Sequence, residues 1–107
     1  MNHRRSSISA TAFPRLGYFC NAYLHQDTTA EYGSGEKALA RYLDDADPEE
    51  IQGLKEEWKR LNGLAATQSG DAEERLRFMQ SALRALGAAW MPNTQAELEG
   101  LSSLLSL

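Results

Sequence analysis

Apolar side chains recur along most of the chain at intervals of three and four residues, which is the spacing of one face of an α-helix. The first such face begins just after Pro14, a residue that suits the first turn of a helix because its missing N–H is not needed there. This face comprises Leu16, Phe19, Cys20, Tyr23 and Leu24. Residues 25–35 break the period with polar residues and glycines, so we expect them to form a non-helical connection.

Later helix starts are marked by residues that cap the free backbone N–H groups of a helix. Ser34 precedes a short helical stretch whose inward positions are Ala38, Leu39, Tyr42 and Leu43. Three further starts combine a cap with an acid three residues later: Asp47 with Glu50, Asp71 with Glu74 and Thr94 with Glu97. Each of these three is followed by its own apolar face, so the capping signals and the periodicity agree.

These signals predict an all-α fold, a compact bundle of about five helices joined by short turns. No stretch of the sequence alternates apolar and polar residues over the length of a strand. A chain of 107 residues has room for one hydrophobic core, so we expect a single helical domain over residues 13–107. The apolar face of the fourth helix is expected to extend to Trp90, before residues 91–93 stop the helix.

The first twelve residues have a different character. Arg4 and Arg5 are followed by isolated apolar residues that alternate with serine and threonine, whereas a secretory signal continues with about 7–15 apolar residues. We therefore expect a disordered tail over residues 1–12, with a basic arm that docks on a partner as the alternative. Because no apolar run approaches the roughly 18 residues that cross a bilayer, the expected location is the cytoplasm, with no membrane partner.

The charge of the chain is acidic and unevenly distributed. The formal net charge is -4, and because an acidic surface repels phosphates, a direct nucleic-acid partner is not expected. Residues 25–50 hold eight acids against Lys37 and Arg41, a net charge of −6, whereas residues 51–91 are close to neutral. Part of this acidity stabilises helix starts through the backbone dipole, and the remainder suits a basic protein partner. The candidate contact residues are Asp27, Glu31, Asp44, Asp45, Asp47, Glu49 and Glu50.

Groups that could carry catalysis or bind a metal are sparse. His25 and Asp27 could form a general-base pair near Cys20, but Cys20 lies on the apolar face, so we interpret it as a buried thiol. With two histidines and one cysteine the chain lacks a zinc ligand set, and the acidic stretch 44–50 contains Pro48 and no central glycine, unlike a calcium-binding loop. We expect no catalytic residue, no metal and no cofactor.

One stretch of the chain carries a resemblance to a known family. Residues 18–27, with the sequence YFCNAYLHQD, are followed by Tyr-Gly-Ser at 32–34 and then by a helix that ends in Tyr42 and Leu43. This order of motifs resembles the small helical immunity proteins of bacterial contact-dependent growth inhibition systems. Where that family commonly has tryptophan after His-Gln-Asp, this chain has Thr28.

The resemblance implies an inhibitor without enzymatic activity, which would bind the C-terminal toxin domain delivered by a neighbouring cell and block its active site. Such toxins are often nucleases that act on tRNA or DNA, and their active sites are basic because their substrates are polyanions. The acidic residues of the segment 25–50 would suit a cognate toxin domain of this kind. The alternative hypothesis, which rests on fold class alone, is a small helical adaptor or regulator of an unrelated cytoplasmic system.

The residues of the motif itself are expected to be structural. This set contains Tyr23, His25, Gln26, Asp27, Tyr32 and Gly33. We expect the aromatic residues to lie in the core, namely Tyr18, Phe19, Tyr23, Tyr32 and Tyr42. We expect His25, Gln26 and Asp27 to fix the loop that follows, with the Asp27 carboxylate accepting backbone N–H groups of residues 28–30.

Overall fold

The chain forms α-helices joined by short turns in a computed structural model that describes residue 9 and residues 11–68 and 70–106. The helices are α1 (Pro14–Tyr23), α2 (Thr28–Tyr32), α3 (Gly35–Asp45), α4 (Pro48–Gln68), α5 (Ala72–Ala85) and α6 (Gln95–Ser106). No strand occurs within these ranges, and the predicted all-α bundle is confirmed. Most of the predicted tail, residues 1–8 and 10, lies outside the described residues.

The predicted capping residues act as caps. Each cap accepts the N–H of the residue three positions later: Ser34 from Lys37 at 3.1 Å, Asp47 from Glu50 at 2.9 Å, Asp71 from Glu74 at 2.8 Å and Thr94 from Glu97 at 3.2 Å. In return, the Glu74 carboxylate accepts the Gly70 N–H at 2.6 Å. The Glu97 carboxylate likewise accepts the Asn93 N–H at 2.7 Å. Each cap of this kind stabilises its helix by roughly 1 kcal/mol.

A single-turn helix, α2, lies in the connection that was expected to be non-helical. The Thr28 hydroxyl donates to the Tyr23 carbonyl at 2.7 Å, which ties the start of α2 to the end of α1. Gly33 ends α2 with a φ of +97°, a conformation that glycine adopts without strain. Its N–H donates to the Thr29 carbonyl. Local hydrogen bonding therefore forms a turn of helix where the apolar periodicity is absent.

The end of α5 also differs from the expectation, because the helix stops five residues before Trp90. Gly87 follows it with a φ of +107°, which takes the chain out of the helix. The N–H groups of Ala89 and Trp90 both donate to the Leu24 carbonyl, at 2.7 and 3.0 Å, and join this turn to α1. The Trp90 ring lies on the backbone of Gly35, where a Cβ atom would fall 2.2 Å from the ring. Trp90 therefore packs from a turn and not from the helix.

Helix α1 has no capping side chain of its own, since Phe13 at its N-cap position makes no side-chain hydrogen bond. Glu57 of α4 supplies the cap instead. Its carboxylate accepts the N–H of Leu16 at 2.8 Å and that of Arg15 at 3.2 Å, and Glu57 is only 6% exposed. No local pattern in the sequence predicts this contact, which joins α1 to α4.

The core lies where α4 meets the other long helices. Helix α4 packs against α1, α5 and α6, and α3 packs against α1, α2 and α6. Buried leucines from five helices form its centre: Leu16, Leu39, Leu54, Leu61, Leu83 and Leu101. The Trp58 indole N–H donates to the Ser102 hydroxyl at 3.1 Å and links α4 to α6. The start of α4 lies beside the start of α1, since Glu50 lines one groove with Pro14 and Arg15.

Candidate partner-binding site

The bend between α1 and α2 is organised by His25. Its Nδ1 accepts the backbone N–H of Asp27 at 3.1 Å, and its Nε2 lies 3.1 Å from the Glu31 carboxylate. The imidazole also lies beside Tyr32, with 6.2 Å between the ring centroids. His25 therefore links the end of α1 to both ends of α2.

Asp27 does not have the expected contacts. Its side chain makes no capping hydrogen bond to α2, so the expectation that it accepts the N–H groups of residues 28–30 is wrong. The reason is its backbone conformation, with φ −97° and ψ 10°, whereas an N-cap residue that uses its side chain is normally extended. Asp27 and its neighbour Gln26 are exposed, which leaves both side chains on the surface of the bend.

Four aromatic rings pack together where α1, α2 and α3 meet. Phe19 lies 5.7 Å from Tyr23 and 5.4 Å from Tyr42, measured between ring centroids. Tyr23 lies 5.4 Å from Tyr42 and 5.9 Å from Tyr32. Phe19 and Tyr42 are buried as expected, while Tyr23 and Tyr32 are partly buried against the core. Ring pairs of this kind add roughly 0.5–1.5 kcal/mol each beyond the burial of their area.

Tyr18 was expected in the core and lies on the surface, with 60% of the residue exposed. Helix geometry explains this correction. Residue 18 lies two positions after Leu16, on the opposite side of α1 from the face that Leu16 shares with Phe19 and Cys20. The spacing of the apolar positions was therefore the signal that could have found an exposed tyrosine here.

An open groove runs beside Tyr18, between the start of α1, α3 and the first turn of α4. It is lined by Pro14, Arg15, Tyr18, Tyr42 and Glu50. Burial raises the pKa of Tyr42 to about 12, and the Glu50 carboxylate contributes to this rise. Burial also raises the pKa of Tyr23, with a further contribution from Asp45. Two of the candidate carboxylates, Asp45 and Glu50, thus lie close enough to the tyrosines to act on them electrostatically.

All seven acidic candidates are exposed. Five lie where α3 is followed by α4, namely in the last turn of α3, on the turn itself and in the first turn of α4: Asp44, Asp45, Asp47, Glu49 and Glu50. The other two, Asp27 and Glu31, lie at the bend around His25. Arg41 offsets one of these charges, since its Nε lies 3.0 Å from the Asp45 carboxylate one helical turn later. Along the chain the carboxylates therefore form two groups, one around the bend between α1 and α2 and one around the turn between α3 and α4.

The residues that could have formed a catalytic pair have structural positions. Cys20 is fully buried, as its apolar spacing predicted, and burial raises the pKa of its thiol to about 12. Such a thiol is a poor nucleophile near neutral pH.

In the described part of the chain no three His, Cys, Asp or Glu side chains are grouped so as to hold a metal ion. None of the helices described here is both long and apolar enough to cross a membrane.

The fold defines a class, that of small all-helical proteins, and this one exposes acidic side chains and Tyr18 on its surface. A family model described as CdiI immunity protein matches residues 12–105. The chain therefore belongs to the CdiI immunity protein family, which neutralises toxins of contact-dependent growth inhibition, and the resemblance found in the sequence is confirmed. No curated protein and no solved structure matches the chain.

Proposed function

We propose that this chain protects the cell that makes it by binding, in the cytoplasm, the C-terminal toxin domain of a contact-dependent growth inhibition system, and that this toxin is a nuclease with a basic active site. The observation that carries the proposal is the exposure of all seven candidate carboxylates within a segment of net charge −6. The protein acts by occupying the toxin surface, and it has no reaction of its own and no nucleic-acid ligand.

The physical basis is competition between carboxylates and phosphates. A nuclease concentrates cations where its polyanionic substrate binds, so an acidic protein that covers this surface competes directly with the substrate. The same charges accelerate encounter with the toxin, to rates that fall steeply as salt is added. A stable complex of this kind is expected to bury on the order of 1,600 Å² in total.

The first experiment tests whether the chain is an inhibitor at all. We expect a gene for a toxin domain beside the gene for this chain; that domain is co-expressed with the chain, and the two are purified through a tag on the toxin. We expect a complex, and we expect cells that produce the toxin to survive only when the chain is present. Purified toxin is then assayed on tRNA and on DNA. A toxin that cleaves neither contradicts the nuclease part of the proposal.

The second experiment tests the acidic residues with a variant matched in charge. In the test variant Asp44, Asp45 and Glu49 are changed to lysine. In the control variant the same change is made at Glu56, Glu73 and Glu99, which are exposed on α4, α5 and α6. The two variants also match in local structure. Each replaces one acid in the first turn of a helix, Glu49 in the test variant and Glu73 in the control. Each also breaks one ion pair within a helix, Arg41–Asp45 in the test variant and Arg77–Glu73 in the control.

Both variants change the net charge by the same amount, so a difference between them depends on position alone. We expect the test variant to associate with the toxin at least about tenfold more slowly at low salt and the control variant to change much less. Equal rates for the two variants would contradict the assignment of the acidic residues, while the function as an immunity protein would stand on the protection assay.

A further inference from the structure

The Tyr18 side chain does not belong to the hydrophobic core. Among the described residues it is the large apolar side chain that remains exposed, at 60%. It takes no part in the ring contacts that join Phe19, Tyr23, Tyr32 and Tyr42. Exposed tyrosines are common anchors of protein interfaces, because the ring offers a large rigid area and the hydroxyl a hydrogen bond.

The groove beside Tyr18 has the chemistry of a site for a cation. Two tyrosines, Tyr18 and Tyr42, line it together with the Glu50 carboxylate, and the Arg15 guanidinium offsets the charge of that carboxylate. The faces of aromatic rings attract lysine and arginine, and a carboxylate adds a charge-assisted hydrogen bond. The surrounding segment, residues 25–50, carries the −6 charge, so the field around the groove favours a basic occupant.

We propose that the groove between Tyr18, Tyr42 and Glu50 receives a lysine or arginine side chain of the toxin domain, and that the Tyr18 ring is the anchor of the interface. This inference rests on the proposed function and adds to it where on the chain the toxin binds and which side chains make the contact. The side chain that enters the groove belongs to the basic surface of the toxin, which the acidic segment covers in the proposed complex.

Arg15 provides an internal test of the charge of the occupant. It lines the same groove, and its charge opposes the effect of Glu50 on Tyr42. Its side chain lies along α4 because Gly53 leaves room for it, since a Cβ atom there would fall 2.3 Å from the Arg15 Cδ. Removing this charge therefore makes the groove more negative. A cationic occupant gains from that change, and an anionic occupant loses.

The experiment measures the affinity and the association rate of the purified toxin domain for four variants of the full chain. We expect Tyr18→Ala to weaken binding by at least about 30-fold and Tyr18→Phe by no more than about threefold, because the ring carries most of the contact. Arg77→Ala, which truncates a large exposed side chain on α5, is the control and should stay within about twofold. We expect Arg15→Gln to associate about two- to threefold faster at low salt, with no difference in about 0.5 M salt.

An alanine scan of the lysines and arginines of the toxin then identifies the occupant. We expect one replacement whose effect on affinity is lost in the Tyr18→Ala background, as contact between the two side chains requires. Circular dichroism of each variant shows whether its helices are intact. If no basic toxin residue couples to Tyr18 by more than about twofold, the proposal is overturned.

The remaining outcomes separate this inference from the proposed function. If the unmodified chain does not bind the toxin domain, both are overturned. If it binds and protects, but Tyr18→Ala stays within threefold of it or Arg15→Gln weakens binding, only the groove proposal is overturned. The groove proposal also fails if the free chain is a dimer that Tyr18→Ala separates without changing toxin affinity, because the occupant is then a second copy.

Discussion

The carboxylate of Glu57 caps the N-terminus of α1 by accepting the Leu16 N–H at 2.8 Å, across 41 positions of the sequence. Its second oxygen accepts the Arg15 N–H at 3.2 Å. A buried carboxylate is costly unless it is hydrogen-bonded, and here both oxygens are, at the positive end of a helix dipole. The contact fixes the start of α1 against α4, and α1 carries Tyr18 of the proposed partner surface.

Replacing Glu57 should therefore destabilise the whole domain. We expect Glu57→Ala to lower the free energy of unfolding by about 2–3 kcal/mol, because the buried N–H of Leu16 and the part-buried N–H of Arg15 lose their acceptor. Glu57→Gln keeps one acceptor oxygen and should cost about 1 kcal/mol. Urea unfolding followed by circular dichroism measures both.

The neighbouring residue offers the matched control. Glu56 is exposed on the same helix, so Glu56→Ala should change the free energy of unfolding by no more than about 0.5 kcal/mol. Similar losses for the two alanine variants would show that the cap contributes nothing beyond an ordinary helix position.

Two glycines should respond to alanine with opposite signs. A Cβ atom on Gly35 would fall 2.2 Å from the Trp90 ring, so Gly35→Ala should destabilise the domain by about 1–3 kcal/mol through overpacking. Gly63, within α4, has open space at this position. Gly63→Ala should therefore stabilise the domain by about 0.5–1 kcal/mol, the helix propensity difference. Thermal unfolding of both variants checks the signs, and a stabilised Gly35→Ala would contradict the packing of Trp90.

Local signals explain why most helices were predictable. A cap such as Asp71 and its acid Glu74 act within one turn, so a reader of the sequence sees both partners. Glu57, by contrast, caps Leu16 and Arg15 from 41 and 42 positions further along the sequence, and only the fold brings these residues together. The sequence does show that a local cap is absent, because Phe13, which cannot cap with its side chain, occupies the N-cap position of the first helix.

The candidate site was predictable in its charge but not in its shape. The acids of the α3–α4 turn are exposed because they belong to helix ends, which local rules locate. The groove depends on Arg15 and Tyr18 of α1 meeting Glu50 of α4, and this needs the packing of two helices. The wrong expectation for Tyr18 arose from grouping aromatic residues by motif, although the helical period separates it from Phe19.

The buried thiol should make the stability of the domain depend on alkaline pH. Burial raises the pKa of Cys20 from 9.0 to about 12, so the unfolded chain loses this proton before the folded one. The corresponding stability is fully present below pH 9 and is lost as the pH rises from about 9 toward 12. We expect Cys20→Ala to reduce the loss of stability between pH 8 and pH 10 by about 1 kcal/mol, measured by urea unfolding at both values. An unchanged pH dependence would contradict the burial of the thiol, as would rapid alkylation by iodoacetamide in the folded protein.

His25 should matter for the bend after α1 and not for any chemistry. His25→Ala removes the acceptor of the Asp27 N–H and the partner of Glu31, so we expect a loss of about 1 kcal/mol in the free energy of unfolding. His25→Asn should recover part of it, because the amide oxygen can accept the same N–H as Nδ1. Gln26→Ala, at the exposed neighbouring position, should change stability by less than about 0.5 kcal/mol. All three variants should protect cells from the toxin when enough folded protein is present. A His25→Ala protein that is folded and binds the toxin with unchanged affinity, yet fails to protect, would instead give His25 a chemical role.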